Sequence, residues 1–246
     1  MKTSIIFAVV LGLSVAVQAQ EKVPIKLDYP KPPWGGNNSY NNNPPAIRDY
    51  KNLDPYPYDM PRPPILVSVG CDTLLSRGCK VTSSEDDDGG PVIGKLEYIT
   101  DGVKEHDIDA YVEMGPGLQW IQIDLGSEKE IHAVCIWHYY YSQNLWVRNG
   151  RVYRDVIVQI SNDANFKEGV VTVFNNDHDN SAGLGKGNDM EYIESNYGRP
   201  FAVDAIKGRY VRCYSRGNNE NGMNHYTEVE VFGRDIAGKQ QEMITP

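Results

Sequence analysis

Near its end the chain reads Gly208-Arg209-Tyr210-Val211-Arg212-Cys213-Tyr214 and then, after a polar segment at 215–225, Thr227-Glu228-Val229-Glu230-Val231-Phe232-Gly233. Both runs are rich in the β-branched and aromatic residues typical of strands. Upstream, Gln119-Trp120-Ile121-Gln122-Ile123-Asp124-Leu125-Gly126 alternates polar and apolar side chains, which is the period of a half-buried strand. Together these stretches predict strands joined by polar loops.

The rest of the chain from residue 65 onward has the same character. Further strand-like runs lie at 65–69, 131–138, 152–161 and 170–174, and clusters of Gly, Asn and Asp separate them. No amphipathic helical run of convincing length occurs in the sequence. Several strands with turn signals between them indicate a sandwich or a jelly roll. The sequence therefore predicts an all-β fold, a jelly-roll β-sandwich.

The N-terminus carries a predicted export signal. Met1-Lys2-Thr3 is a short basic start, an apolar run covers 5–17, and Val17-Gln18-Ala19 places small residues at a cleavage site. We therefore interpret 1–19 as a signal peptide and expect a secreted protein, extracellular or periplasmic after cleavage. No second long apolar run follows, so no transmembrane segment is predicted.

The segment 20–64 differs in composition from the remainder. Eleven of the chain's 15 prolines lie within 21–64, among Asn, Tyr and Gly. Two interpretations stay open: a flexible linker, or an arm whose tyrosines and Trp34 lie along the domain surface. The predicted organisation is a signal peptide (1–19), a Pro/Asn/Tyr-rich linker or arm (20–64), a β-sandwich (65–235) and a C-terminal tail (236–246).

The charge and the motifs both argue against several function classes. A net charge of -9 disfavours nucleic acid and anionic membranes as partners, because both require a positive field. Neutral polar ligands or calcium fit such a surface better. The motifs H-E-x-x-H and G-x-S-x-G do not occur. We therefore expect a binding protein and not an enzyme.

The four cysteines are Cys71, Cys79, Cys135 and Cys213. Cys71 and Cys79 flank a short turn, which favours a local disulfide in an exported protein. Cys135 and Cys213 lie inside strand patterns, where they either pair across neighbouring strands or stay buried thiols. None of the four forms a close C-x-x-C pair, so a zinc site is not predicted.

Segments spread over 65–233 resemble the discoidin family, also called the coagulation-factor C-type domain. This family belongs to the galactose-binding-like superfamily, which includes the family 32 carbohydrate-binding modules. The matching segments are Thr100-Asp101-Gly102, 120–126, 131–137, 156–161, 208–212 and 228–233. The resemblance implies an eight-stranded sandwich that binds ligands on loops at one end. The chain departs from the family at 103–114, which lacks the usual Trp, and at the long loop 175–195.

The resemblance also implies a structural calcium ion, held by the turn after this Asp-Gly and by a Glu of the last strand. Calcium requires six to eight oxygen ligands. The candidate ligands here are Asp101, Glu105, Asp107 and Glu228. The alternative is that Asp101 only caps a turn. The acidic, Gly-rich segment 175–189 is a second calcium candidate, with a solvated loop as its alternative.

Two polar and aromatic loops offer a sugar site. A pyranose needs an aromatic face and fixed hydrogen-bond partners, held in loops by a rigid sheet. The resemblance places sugar-binding His, Arg and Asn residues on such loops, here His138, Arg216 and Asn224. The full candidate set is His138, Tyr140, Tyr141, Trp146, Arg148, Arg216, Asn218, Asn224 and His225. The alternative is that the aromatic residues pack against the arm or against each other.

The expected function is therefore non-catalytic recognition of a glycan or glycoprotein outside the cell, with a structural calcium ion. Two alternatives use the same features. One is a protein-binding or adhesion module that employs the same loops. The other is a component of an extracellular assembly that the Pro-rich arm holds in place.

Overall fold

The computed structural model describes residues 21–30, 50, 52–58, 60–105, 110–140 and 151–236. The strands of this part are β1 (Lys22–Pro24), β2 (Leu66–Ser68), β3 (Thr73–Leu74), β4 (Lys80–Ser83), β5 (Val112–Met114), β6 (Gln119–His138), β7 (Ile157–Ser161), β8 (Val171–Asn175), β9 (Arg199–Ser215) and β10 (Asn224–Asp235). Two short 3-10 helices, Asp86–Asp88 and Leu96–Thr100, connect them. These described residues contain no α-helix, so the all-β prediction is confirmed.

Eight of the strands form one antiparallel sheet. Its order is β3-β10-β6-β9-β7-β8, with β4 paired to β6 and β5 paired to β10. Sequence neighbours are frequently not sheet neighbours, because long connections cross from one part of the sheet to another. The pairing agrees with the jelly-roll class of sandwich predicted from the sequence.

The long strands β6 and β9 build both layers of the sandwich. The first half of β6 pairs with β4 and with the end of β9, whereas its second half pairs with β10 and with the start of β9. The register breaks between Asp124 and Lys129, where Gly126 has a φ of 79°. Glycine adopts this left-handed conformation without steric cost, so the strand changes direction here.

The core between the layers is mainly aliphatic. Its fully buried members include Ile121, Ile123, Val134, Ile136, Val211, Val229 and Val231. Removing one such side chain from water contributes about 1.5–3 kcal/mol. The members alternate along β6 and β10 with residues of the opposite face, as the two-residue period of a strand requires. The alternation seen in the sequence therefore defines the core-facing side.

Part of the N-terminal arm is ordered against the outside of the sandwich. β1 pairs antiparallel with β2 in a separate two-stranded sheet, so the predicted strand at 65–69 pairs with the arm and not within the sandwich. A second apolar cluster joins this small sheet to β6 and β10. It consists of Ile25, Val67, Cys71, Ala133 and Phe232. Residues 21–30 of the arm thus pack against the sandwich.

Several predicted segments fall outside the described residues. They are the signal peptide 1–19, the arm segment 31–49 and residues 237–246 of the tail. No helix within the described ranges has the length and apolarity that a membrane span requires.

Candidate functional site

One end of the sandwich carries the predicted polar turn between β9 and β10. Here His138 pairs with Tyr226, and His225 pairs with Glu113. β6 ends at this place, and the turn 216–223 joins β9 to β10 beside it. Three predicted ligand residues, Tyr141, Trp146 and Arg148, lie outside the described residues.

His138 is a buried residue of this end and not a surface ligand. Its exposed fraction is 0%, and its Nδ1 lies 2.7 Å from Glu194 Oε1. Its ring stacks on that of Tyr153, with 4.3 Å between the ring centroids and 19° between their planes. The sequence interpretation of His138 as a sugar contact is corrected, because the strand continues through it and carries its side chain inward.

Asn224 and Asn218 shape the turn between β9 and β10. Asn224 Oδ1 accepts from Gly217 N at 2.7 Å, and its Nδ2 donates to Gly115 O at 2.8 Å. Asn218 Oδ1 accepts from Glu220 N at 2.9 Å, and its Nδ2 donates to Met223 O at 2.9 Å. Both amides are buried. Their hydrogen-bonding groups are used by the loop itself, so their role here is structural and not ligand binding.

His225 is the centre of a hydrogen-bond network at this end. Its Nε2 lies 3.0 Å from Glu113 Oε2, and its Nδ1 lies 3.0 Å from Tyr153 Oη and 3.3 Å from Arg151 Nη1. Arg151 Nη2 donates to Glu220 Oε2 at 2.9 Å. Because a guanidinium only donates, His225 Nδ1 is the acceptor and its Nε2–H donates to Glu113.

Burial keeps this imidazole neutral. It lowers the pKa of His225 to about 3, and the charges of Arg151 and His138 act in the same direction. The contact with Glu113 is therefore a hydrogen bond from a neutral ring at neutral pH. Burial also raises the pKa of Glu113, although Arg151 opposes this shift.

Two tyrosines complete the arrangement. The ring centroids of Tyr111 and Tyr139 are 4.5 Å apart, and the Arg151 guanidinium carbon lies 5.2 Å from the centroid of Tyr139. We call this group the end cluster: Tyr111, Glu113, Tyr139, Arg151, Glu220 and His225. Tyr111, Glu113 and Glu220 are partly open to solvent, whereas the other three are buried. The cluster presents the edge of an aromatic ring beside two carboxylates, with the buried Arg151 guanidinium behind them.

Of the six residues of the end cluster, only His225 was predicted from the sequence. Tyr111 and Glu113 alternate with the buried Val112 and Met114, which is a strand signal. That signal lies in the segment 103–114, which departs from the family pattern. Arg151 gives no local signal, because only the pairing of distant strands brings it to His225.

The remaining described ligand candidates lie elsewhere or are covered. Tyr140 is buried, with an exposed fraction of 8%. Arg216 is exposed and its Nη1 lies 3.4 Å from Asp155 Oδ2. Asp155 also accepts from Ser181 Oγ at 2.7 Å, so Arg216 adjoins the loop that follows β8.

The predicted calcium ligands do not converge on one point. Asp101 Oδ1 accepts from Val103 N at 2.7 Å, which is the turn-capping alternative. Glu228 Oε2 accepts from Gly102 N at 2.9 Å, and the Arg77 guanidinium donates to the Asp101 carbonyl. Within the described ranges, the carboxylates of Asp101, Glu105 and Glu228 form no common ligand group. Asp107 lies outside those ranges.

The buried carboxylate of Glu228 nevertheless favours a nearby cation. Glu228 Oε1 is buried and finds no hydrogen-bond partner in the described part of the chain, and burial raises the pKa of Glu228 to about 8. Lys104 Nζ lies 2.7 Å from Glu230 Oε1, so Arg77 and Lys104 are the cations present. A calcium ion here would have to displace Arg77 from the Asp101 carbonyl. Calcium binding stays a prediction.

The second calcium candidate, 175–189, uses its carboxylates to hold its own backbone. Asp177 accepts from Ser181 N at 3.0 Å and from Ala182 N at 2.9 Å. Asp189 Oδ2 accepts from Asn175 N at 2.6 Å. These contacts account for the acidic residues without an ion and agree with the loop alternative.

All four cysteines are free thiols in the structure. Cys71 belongs to the second apolar cluster, whereas Cys79 packs against the main core and its Sγ lies 3.2 Å from Leu75 O. The expected Cys71–Cys79 disulfide is therefore not formed, because the two side chains enter different clusters. Cys213 lies in the main core and Cys135 borders the arm, so these two also face opposite sides of the sheet.

No protein-family model matches the chain, and no curated protein matches it either. Solved structures do match the chain. The chain is similar to a family 89 glycoside hydrolase from Clostridium perfringens at 19% identity and a TM-score of 0.46, over 69% of this chain and 16% of that one. The chain thus spans a small part of that enzyme, and the enzyme's activity is not carried over to it.

Smaller solved domains are covered almost entirely. The family 32 carbohydrate-binding module of AlyQ, in complex with 4,5-unsaturated mannuronic acid, matches at 21% identity and a TM-score of 0.43, over 62% of this chain and 93% of that one. The lectin domain of lectinolysin, complexed with Lewis B antigen, matches at 17% identity and a TM-score of 0.46, over 66% and 96%. These three matches have identities of 17 to 21% and TM-scores of 0.43 to 0.46.

Proposed function

We propose that this chain is an exported, non-catalytic module that binds carbohydrate at the end cluster. The observation that carries the proposal is the pair of tyrosines, Tyr111 and Tyr139, set beside Glu113, Glu220 and Arg151 at the loop-bearing end of the sandwich. The resemblance of the sequence to the discoidin family implies the same class of ligand.

The chemistry of the end cluster suits a sugar. A pyranose presents an apolar face that packs on an aromatic ring and hydroxyls that need fixed acceptors and donors. Tyr111 is partly exposed and offers the ring, while the carboxylates of Glu113 and Glu220 offer acceptors. The buried His225 and Arg151 hold these carboxylates in place at 3.0 and 2.9 Å. Preorganised acceptors reduce the entropy that binding costs.

The same network disfavours acid–base catalysis by this pair of carboxylates. Arg151 binds Glu220 directly, and the neutral His225 donates to Glu113. Glycoside hydrolysis requires one carboxyl group that acts as an acid and a second one that acts as a base or nucleophile. Both carboxylates of the end cluster are instead engaged by other side chains. We therefore assign the end cluster to recognition.

The experiment begins with a glycan array on the mature protein, followed by titration of the ligand it identifies. Tyr111→Ala and Glu220→Gln should each weaken binding by about 1–3 kcal/mol, the loss of a stacking or hydrogen-bonding partner. Tyr210→Ala is the matched control, because Tyr210 pairs with Asp124 near the opposite end of the sandwich.

Two outcomes would count against this site. Wild-type affinity in both end-cluster variants would move the sugar site elsewhere. The absence of binding to any glycan on the array would favour the protein-binding alternative. Circular dichroism of each variant establishes that it is folded before its affinity is compared.

A further inference from the structure

A second group of chemically active side chains lies on the side of the sandwich, under the small sheet formed by β1 and β2. A cavity of about 330 Å³ opens between this small sheet, β6 and β9. Its lining includes Cys71, Glu130, His132 and Arg234. None of these residues belongs to the end cluster, and the proposed function uses none of them.

Three of these side chains converge. Cys71 Sγ, a carboxylate oxygen of Glu130 and a ring nitrogen of His132 all lie within 4.8 Å of one another. Glu130 Oε1 and His132 Nε2 are already 2.9 Å apart. Cys71 is fully buried, and the side chains of Glu130 and His132 are only 16% and 14% exposed. Within the described ranges this is the one group of three such residues.

The backbone holds each of the three donors in place. Glu130 and His132 are two residues apart on β6, and the register of the sheet shifts between Ile131 and Ala133, where His132 lies. Their side chains meet there, with Glu130 Oε1 and His132 Nε2 in contact. Cys71 follows β2, and its backbone N–H donates to Ser68 O at 2.9 Å, which fixes the turn. The donors therefore come from a long central strand and from a turn of the small sheet.

We propose that Cys71, Glu130 and His132 bind a zinc ion, with a fourth coordination position facing the cavity. A thiolate, an imidazole and a carboxylate form the borderline-soft donor set that zinc prefers over calcium or magnesium. Zinc–ligand bonds of about 2.0–2.3 Å place tetrahedral ligands roughly 3.3–3.8 Å apart. Side-chain shifts on the order of 1 Å bring the present arrangement to that geometry.

Arg234 is the resident counter-ion of this group. Its Nη2 lies 2.8 Å from Glu130 Oε1, and its side chain is 49% exposed. A half-exposed arginine is free to turn outward when a metal ion takes over the carboxylate, since surface ion pairs contribute only about 0.2–1 kcal/mol. Arg234 therefore weakens zinc binding modestly without blocking it.

Zinc at this position would link the turn after β2, and through β2 the arm strand β1, to the sandwich. Cys71 belongs to the cluster that joins the small sheet to β6, while Glu130 and His132 lie on β6 itself. A bound ion would thus tie two parts of the chain that otherwise meet through one small apolar cluster. Ligands that fold around a metal convert its binding free energy into stability.

The test uses the full mature protein, stripped of metal and reduced. Cobalt(II) is titrated first, because a cysteine ligand gives a thiolate-to-cobalt charge-transfer band, and zinc is then added in competition. We expect one equivalent of cobalt with that band, its loss on adding zinc, and a higher melting temperature with zinc. Cys71→Ser and His132→Gln should each weaken binding at least about 100-fold, more than the loss of an outer partner costs.

Matched controls separate the site from general metal binding. Cys79→Ser and His178→Gln remove a thiol and an imidazole outside the group and should leave the cobalt band and the affinity unchanged. Arg234→Ala should tighten binding about two- to fivefold, since it removes the competing ion pair. If Cys71→Ser fails to fold, His132→Gln and Arg234→Ala still test the site.

Three results would overturn the proposal. They are cobalt binding without the charge-transfer band, unchanged affinity in Cys71→Ser and His132→Gln, and a disulfide at Cys71 in the protein as secreted. The melting temperature of metal-free Cys71→Ser shows whether the cysteine serves packing alone.

Discussion

Lys104 illustrates how a single residue neutralises buried charge in this protein. Its Nζ lies 2.7 Å from Glu230 Oε1, donates to Asp28 O at 2.9 Å and sits 4.4 Å from the centroid of the Trp137 ring. Both ion-pair side chains are nearly inaccessible, at 5% and 4% exposure. The lysine therefore contacts the arm at Asp28, β6 at Trp137 and β10 at Glu230.

We predict that Lys104→Met destabilises the protein by about 3–5 kcal/mol, because it leaves Glu230 buried with reduced compensation. Urea unfolding at neutral pH measures the change. Lys80→Met, at an exposed position on β4, is the control and should cost less than about 0.5 kcal/mol. Equal losses in the two variants would show that the Lys104 ion pair contributes nothing specific.

His225 gives the protein a defined response to acid. Its pKa is lowered to about 3 in the folded state, against about 6.5 in an unfolded chain. The unfolded state therefore binds one more proton between these values, so stability falls as the pH falls from about 6.5 to about 3. Above about pH 6.5 both states are neutral, and this contribution is constant.

We predict that His225→Gln has a shallower loss of stability over this pH range, by up to one proton, although it is less stable at pH 7. Urea unfolding at several pH values from 4 to 7 yields the slope. His178→Gln, at a side chain that is 37% exposed and outside the end cluster, is the control for the removal of a histidine. Identical slopes in wild type and His225→Gln would contradict a neutral, buried His225.

The turn that follows the 3-10 helix Leu96–Thr100 is the element on which the calcium proposal depends. Gly102 has a φ of 89°, and a β-carbon there would collide with the Arg77 guanidinium. The same guanidinium donates to the Asp101 carbonyl, an oxygen that a calcium ion in this turn would use. Arg77 and calcium are thus competitors for one place.

We predict that calcium raises the melting temperature of Arg77→Ala more than that of the wild-type protein. Removing the guanidinium frees the Asp101 carbonyl and leaves Glu228 with less compensating charge, so a cation binds better. Thermal melts with calcium and with a chelator measure the effect. If neither protein responds to calcium, the turn binds no such ion and the calcium expectation fails.

The free energy of unfolding that the arm contributes is a property of the whole molecule. The second apolar cluster is small. Ile25, at 5% exposure, is its buried residue from the arm, and Val23 and Leu27 pack against it. We predict that Ile25→Ala lowers the unfolding free energy by about 2 kcal/mol, the low end for such a truncation, because a small cluster relaxes easily.

Leu66→Ala is the control for Ile25→Ala, since Leu66 lies on the neighbouring strand with 55% exposure and should cost less than about 0.5 kcal/mol. Urea unfolding and the rate of proteolysis near residue 30 measure both variants. A wild-type stability for Ile25→Ala would mean that the arm rests on the sandwich without stabilising it.

The sequence by itself determined the class of the fold. Alternation and turn residues identify strands because the side-chain period of a strand is local and is visible in a window of a few residues. The runs at 120–125 and 131–138 were predicted as two strands, yet the structure has the single strand β6, which continues through the turn at Gly126. The local pattern shows a break, and only the pairing with β9 on both sides shows that the strand continues.

Only the tertiary structure decided which polar residues form the end cluster. Trp120 is half-buried on the face opposite the core, with Arg212 4.2 Å from its ring, because Ile121 and Ile123 take the inward positions. The sequence suggested that His138 lies on a loop, whereas the structure buries it completely. Arg151 and His225 are 74 positions apart and meet because residues 152–154 hydrogen-bond to the turn between β9 and β10. Sequence patterns record the neighbours of a residue along the chain, whereas a binding site is made by neighbours in space.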